Sequence, residues 1–436
     1  MNIPFSRHTL DNGLDVLIHE DHGCPIVAVN VWYHVGSKNE KPGRTGFAHL
    51  FEHLMFEGSE HYDRGYFQPL QEAGAQLNGS TNADRTNYWE VVPRNALELA
   101  LWMESDRMGF LLPALSDAKF ENQREVVLNE RRQNYENRPY GFAGMAMVAA
   151  LYPPDHPYHW MTIGAAEDIR AARLDDVRAF FQTYYRPRNA SLALAGDVDT
   201  REALALAADY FGGLDAGDEP PPVEFAAPPA ITNERRLVLE DRVELPRVYL
   251  SWHSPALFAE DDAELDLVAE VLASGKTSRL YRTLVYDQRI ATEIAASQNS
   301  REAGGYFQII ATAAPGRTLQ EVDRAIARVV EAFIVEGPTA PEMERCLAQA
   351  EASFMYRLQT VGGFGGKSDQ LNAYNIFVGD PAFFERDLER YRRVTPESMQ
   401  SAARRMLRPD ARIALSVVPR GRAALALPGS QPVSVS

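Results

Sequence analysis

Cysteine is nearly absent: the chain of 436 residues holds only Cys24 and Cys346, far apart and in no Cys-x-x-Cys pattern. That excludes a disulfide framework and a thiolate zinc site and leaves two free thiols. Long apolar runs are missing as well, so no segment is expected to cross a membrane as a helix. Basic residues are in deficit, 44 against 60 acidic, for a formal charge of -16. A nucleic-acid binder needs a basic face, and anionic lipid would repel this surface; peptides carrying basic residues would be drawn to it. The N-terminal stretch MNIPFSRHTLDNGLDVLIHED has no basic region followed by an apolar one and no small-residue cleavage site. It reads as the start of a folded cytoplasmic domain, with the periplasm as the alternative should a leader precede it.

What is present is a hydrophobic content of 45%, enough for a sizeable core, in a chain too long for one ordinary core. Two domains, or one duplicated unit, are expected. The opening segment alternates around Asn12-Gly13, a dipeptide favoured in two-residue hairpins. PIVAVNVWYHVGS is a β-branched run suited to a buried strand, and TGFAHLFEHLMFEG repeats its apolar residues at helical spacing up to Gly58. GAQLNGSTNADRTNYWEVVP reads as a strand pair. NALELALWMESDRM reads as a helix with Asn95 as its N-cap, and DAKFENQREVVLNERRQNYEN as a second helix turning Phe120, Val126, Val127 and Leu128 to the core.

Residues 215 to 233 change character, with five prolines and few large apolar side chains. That composition makes a stiff linker between an N-terminal domain, 1 to 214, and a C-terminal one, 234 to 436. The pattern then recurs in weaker form. Setting Arg186-Pro187 on Arg408-Pro409 gives an offset of 222, and setting Gly58 on Gly275 gives 217. Two similar offsets from distant places point to an internal duplication.

The chemistry is concentrated in HLFEHLMFEGS. On a helix, His49 and His53 stand one above the other and direct two imidazoles at one ion, with Glu52 beside them. Two imidazoles and a carboxylate suit Zn²⁺ with a fourth position open, and the order His-x-x-Glu-His is the inverzincin signature. On the duplicated register Asp266, Ala269 and Glu270 fall opposite His49, Glu52 and His53, so only the first half has kept this chemistry. Elsewhere, GGFGGKSDQLN from Gly362 and ASGKTS at 273 to 278 lack the context of a phosphate-binding loop, and His156 and His159 read as loop and packing residues.

GRTGFAHLFEHLMFEGSEHY, LNGSTNADRTNYWEVVP and NQREVVLNERRQ together resemble the pitrilysin, or M16, family of zinc peptidases, and within it the bacterial branch similar to mitochondrial processing peptidase (M16B). The resemblance runs over nearly the whole chain. It implies an α+β fold of two homologous domains, each a mixed, mainly antiparallel sheet covered by helices, facing each other as a clamshell. It implies a third zinc ligand after 76 intervening residues beyond His53, which is Glu130, for one Zn²⁺ per chain. The implied activity is that of a metalloendopeptidase acting on peptides or unfolded segments, with Glu52 as general base. Asn78, Gly79, Ser80 and Thr81 match the family's edge strand, along which substrate pairs.

Two departures from the pattern stand out. Gln123 stands where many relatives carry a glutamate near the metal, and Val285 and Thr292 stand where members active alone carry an arginine and a tyrosine. The implied partner is therefore a homologous subunit without the metal motif that supplies the Arg/Tyr pair, in a heterodimer. The alternative function is that of a noncatalytic structural subunit of a larger assembly.

Overall fold

A computed structural model describes residues 2–435. Twelve strands form two six-stranded sheets. The first contains β1 (Ser6–Thr9), β2 (Asp15–Glu20), β3 (Ile26–Tyr33), β4 (Gln76–Thr81), β5 (Thr86–Pro93) and β6 (Ala190–Gly196), in the order β1-β2-β6-β3-β5-β4. The second contains β7 (Arg235–Asp241), β8 (Arg247–Ser254), β9 (Ala291–Asn299), β10 (Gly305–Ala313), β11 (Ile413–Pro419) and β12 (Gln431–Pro432), in the order β12-β7-β11-β8-β10-β9. The pairs β2–β6 and β7–β11 are parallel, and β12 also runs parallel to β7. The remaining pairs are antiparallel. Strands β2 to β6 thus occupy the sheet positions that β7 to β11 occupy in the second sheet. This is the duplication expressed as topology, in an α+β fold of two sheet-plus-helix domains.

Contacts divide the chain into two compact units whose membership is not linear. One comprises residues 1–131, 160–225 and 353–386; the other comprises 132–159, 226–352 and 387–436. Helix Lys367–Val378, from the second half of the sequence, packs on β6, β3 and β2 in the first unit. Helix Ala143–Leu151, from the first half, packs on β11 and β8 in the second. Each sheet is therefore covered partly by a helix from the other sequence half. No linear boundary read from composition describes such an exchange.

Both faces of β3 are covered, which is why its sequence is a continuous apolar run rather than an alternating one. On one face Tyr33 meets Tyr185, with ring centroids 4.8 Å apart, and Phe51 of the motif helix stacks on Tyr185 at 4.6 Å and Phe181 at 5.4 Å. On the other face Trp32 Nε1 donates to Asp369 Oδ1 (2.8 Å). The glycine-rich stretch lies there too: a Cβ on Gly362 would meet Ala28 Cβ at 2.5 Å and Val91 Cγ2 at 2.6 Å, so the glycine permits a close approach to the sheet.

Several local expectations change. The first hairpin has a five-residue connection, Leu10 to Leu14, because Thr9 pairs with Asp15 and Asn12 is drawn inward to donate to the Phe211 carbonyl (2.7 Å). Asn95 is not an N-cap: a 3-10 turn, Arg94–Ala96, takes its place and the helix starts at Leu97. Val126 is 39% exposed, while Phe120, Val127 and Leu128 are buried as expected. No described helix is long and apolar enough to cross a membrane.

Candidate metal centre and active site

The motif lies on a helix of two turns, Phe47–Leu54. Its apolar face, Phe47, Leu50, Phe51 and Leu54, is buried, and this leaves His49 and His53 on the facing side. The helix begins at Gly46, whose φ of +88° is open to glycine but strained for other residues. A Cβ there would also meet the Ile163 carbonyl at 2.9 Å. Glu40 serves as the cap. Its buried carboxylate accepts from Gly46 N (3.0 Å) and Ala48 N (2.8 Å), two of the amide groups a helix start leaves open. Burial pushes this carboxyl up to about 8 despite those bonds.

Helix Asp117–Arg131 packs against the motif helix and carries Glu130. The neighbouring Arg131 is buried and donates from Nε to the Gly164 carbonyl (3.3 Å), which fixes the end of this helix. The ligating atoms of His49, His53 and Glu130 all lie within 4.8 Å of one another. His49 Nε2 is 3.5 Å and His53 Nε2 is 3.3 Å from Glu130 Oε2. Bonds of about 2.0–2.2 Å to a tetrahedral zinc put neighbouring ligand atoms about 3.3–3.5 Å apart. The two histidine-to-carboxylate separations therefore fit a zinc ion, as does the donor set of two nitrogens and one oxygen. Burial, and next the neighbouring His53, lower the His49 imidazole to about 4 and keep it neutral, the form that coordinates. His49 Nδ1 is buried with no hydrogen-bond partner. The helix and the His53 ring, edge-on at 4.9 Å and 86°, hold it instead.

Glu52 sits beside the triad. Burial raises its carboxyl, while the nearby Thr81 hydroxyl and the charges of His53 and Arg85 oppose that rise. Thr81 ends β4, which has a single neighbour, β5, and so forms the edge of the first sheet. Asn78, Gly79, Ser80 and Thr81 all lie on this strand. Asn78 Oδ1 accepts from Gly79 N (2.8 Å), and Ser80 Oγ donates to Asn87 Oδ1 (2.7 Å). The Gln123 amide donates to Glu57, just beyond the motif helix. Val285 lies in the short π-helix Tyr281–Asp287, packed on the second unit's core, and Thr292 lies on β9, its hydroxyl 3.5 Å from the Thr312 carbonyl.

A family profile described as "Insulinase (Peptidase family M16)" matches residues 15–152, and one described as "Peptidase M16 inactive domain" matches residues 171–350. The chain is 30% identical over 362 residues to the Helicobacter pylori protein named "Zinc protease PqqE", covering 82% of this chain and 81% of that one. The chain belongs to peptidase family M16. A Mycobacterium leprae relative, "Uncharacterized zinc protease ML0855", is 27% identical over 409 residues, with 92% of this chain and 89% of the relative covered. A crystal structure of a protease from Helicobacter pylori superposes with a TM-score of 0.88 at 26% identity, covering 96% of this chain and all of that one.

Several residues around this M16 site carry no sequence signal. Glu40 lies six positions before the amide of Gly46 that it caps, outside any capping pattern. Asp369 is brought to Trp32 of β3 only by tertiary packing.

Proposed function

We propose that this M16 chain is a zinc-dependent metalloendopeptidase, with His49, His53 and Glu130 as ligands of one Zn²⁺ and Glu52 as general base. The observation that carries the reading is the triad: two imidazole nitrogens at 3.5 and 3.3 Å from one carboxylate oxygen, with a second, non-ligating carboxylate alongside. Bound zinc would polarise the scissile carbonyl and acidify a water. Glu52, beside Thr81 of the edge strand, would take that water's proton and return it to the leaving amine. The edge of β4 would pair with an extended peptide by strand addition, with Asn78 to Thr81 supplying main-chain bonds; this mode tolerates many sequences.

The domains that carry this chemistry are proposed as sequence repeats 1–214 and 234–436 joined by residues 215–233. Val285 and Thr292 provide neither a guanidinium nor a phenol for the developing oxyanion. A homologous subunit supplying that pair, in a heterodimer, accounts for a chain that keeps the metal ligands and lacks the rest. The test of the general base is Glu52→Gln. Zinc should stay bound and peptide cleavage should fall by about 100-fold or more; near-normal turnover would reject the assignment.

A further inference from the structure

The turn between β4 and β5 is held rigidly. Asn82 Oδ1 accepts from Asp84 N (2.7 Å) and Arg85 N (2.9 Å), and the Asn82 and Ala83 carbonyls accept from Ser37 N (3.1 Å) and Lys38 N (2.9 Å). A Cβ at Gly36 would meet the Asn82 and Ala83 backbone at 2.5 Å, so the turn is seated directly on that glycine. From this turn Arg85 Nη1 donates to Ser80 O (2.7 Å) and Ser80 Oγ (2.6 Å), and its guanidinium stands 5.1 Å from the Trp32 ring centroid. Asp369, Glu52 and Asp84 all bear on its charge. Asp369 is itself fixed by Trp32 Nε1 (2.8 Å), Asn87 Nδ2 (3.2 Å), Asn30 Nδ2 (3.4 Å) and Gly365 N (2.7 Å).

One side chain therefore bonds the edge strand at Ser80, bears as a positive charge on Glu52, and lies against Trp32, whose indole N–H is held by Asp369 of the helix Lys367–Val378. Thr81, next along the strand, lies close enough to Glu52 to oppose the rise of its carboxyl. We propose that Arg85 is a positioning residue for peptide hydrolysis, holding the Ser80–Thr81 backbone of the edge strand, beside Glu52, in register with the ligand triad, with Trp32 and the Asp369 that fixes it as its support. The inference rests on the peptidase reading and adds to it the group that couples the base to the substrate-pairing strand. A planar guanidinium lying by an indole and bonding two oxygens has no equal in lysine, whose ammonium is a compact point charge. A misplacement of about 1 Å at such a site costs about 100-fold in rate.

The experiment compares Arg85→Met, Arg85→Lys and Asp369→Asn in the full chain, together with any subunit that co-purifies. Cleavage of a fluorogenic peptide, zinc content and thermal midpoint are measured on each. Arg85→Met is expected to keep wild-type zinc while kcat falls about 30- to 100-fold and KM stays within about threefold. Arg85→Lys should recover part of kcat, and Asp369→Asn should lie between wild type and Arg85→Met. Wild-type kcat in Arg85→Met overturns the inference, as does a loss of kcat that merely tracks lost zinc or a lower midpoint in all three variants. A wild type that binds zinc and cleaves nothing, with its co-purifying subunit present, removes the peptidase reading itself and this inference with it. An active wild type with an unaffected Arg85→Met removes the inference alone.

Discussion

Replacing Arg107 by methionine should destabilise the first unit far more than its surface area implies. Arg107 and Glu104 are buried to 1% and 0% exposure and face each other as an ion pair, with Arg107 Nε donating to Glu104 Oε2 (2.9 Å) and Tyr66 Oη donating to Glu104 Oε1 (3.1 Å). The guanidinium also lies 3.9 Å from the Tyr66 ring centroid and 4.3 Å from that of Tyr88. Glu90 is buried nearby, and burial, then the Glu104 charge, hold its carboxyl well above the usual range. Removing Arg107 leaves Glu104 charged and uncompensated, at a cost of about 3–5 kcal/mol. Removing both partners, as Glu104→Gln with Arg107→Met, takes the charge away as a pair and should recover about 2 kcal/mol or more of that loss. The assay is urea unfolding in a Trp252→Phe background, in which the remaining tryptophans, 32, 89, 102 and 160, all belong to the first unit. If the single and double variants unfold within about 0.5 kcal/mol of each other, the uncompensated charge is not what the arginine prevents.

Two further outcomes follow from the second half of the chain. Asp266, opposite His49 in the duplicated register, accepts from Tyr391 Oη (2.6 Å) and is pushed up by burial to about 7. Its folded-state value lies above the unfolded value of 3.8, so its stabilisation is complete below about pH 4 and declines as pH rises through 7, by up to about 4 kcal/mol. Asp266→Asn should flatten that part of the stability profile in denaturant titrations run from pH 4 to 8; an unchanged slope would contradict the shift. The chain purified alone should cleave peptides weakly or not at all because of Val285 and Thr292, and adding the homologous subunit should restore turnover. Full turnover by a demonstrably homogeneous preparation would rule the heterodimer out.

The parts of this molecule written into local sequence are those whose cause is local. Spacing within one helix placed His49 and His53 on a common face, and the β-branched run Ile26–Tyr33 declared a buried strand because both of its faces are covered. Glu130 was reached from the sequence only through resemblance, since no local rule connects residues on two packed helices. The Glu40 cap, the bond from Gln123 to Glu57 and the Trp32–Asp369 bond behind Arg85 were invisible for the same reason. Asp369 lies 337 positions from the Trp32 it accepts from, on a helix that composition assigns to the other half of the chain. The exchange of helices between the two sequence halves is a property of the packed state rather than of any window of sequence.

The most direct measurement is the metal content of the chain purified without chelators, compared with that of Glu130→Gln and His53→Ala under the same conditions. A three-ligand zinc centre predicts about one zinc per chain in the wild type and a loss of most of it in both variants. A wild type without tightly bound metal, or variants that retain zinc as fully as the wild type, would contradict it.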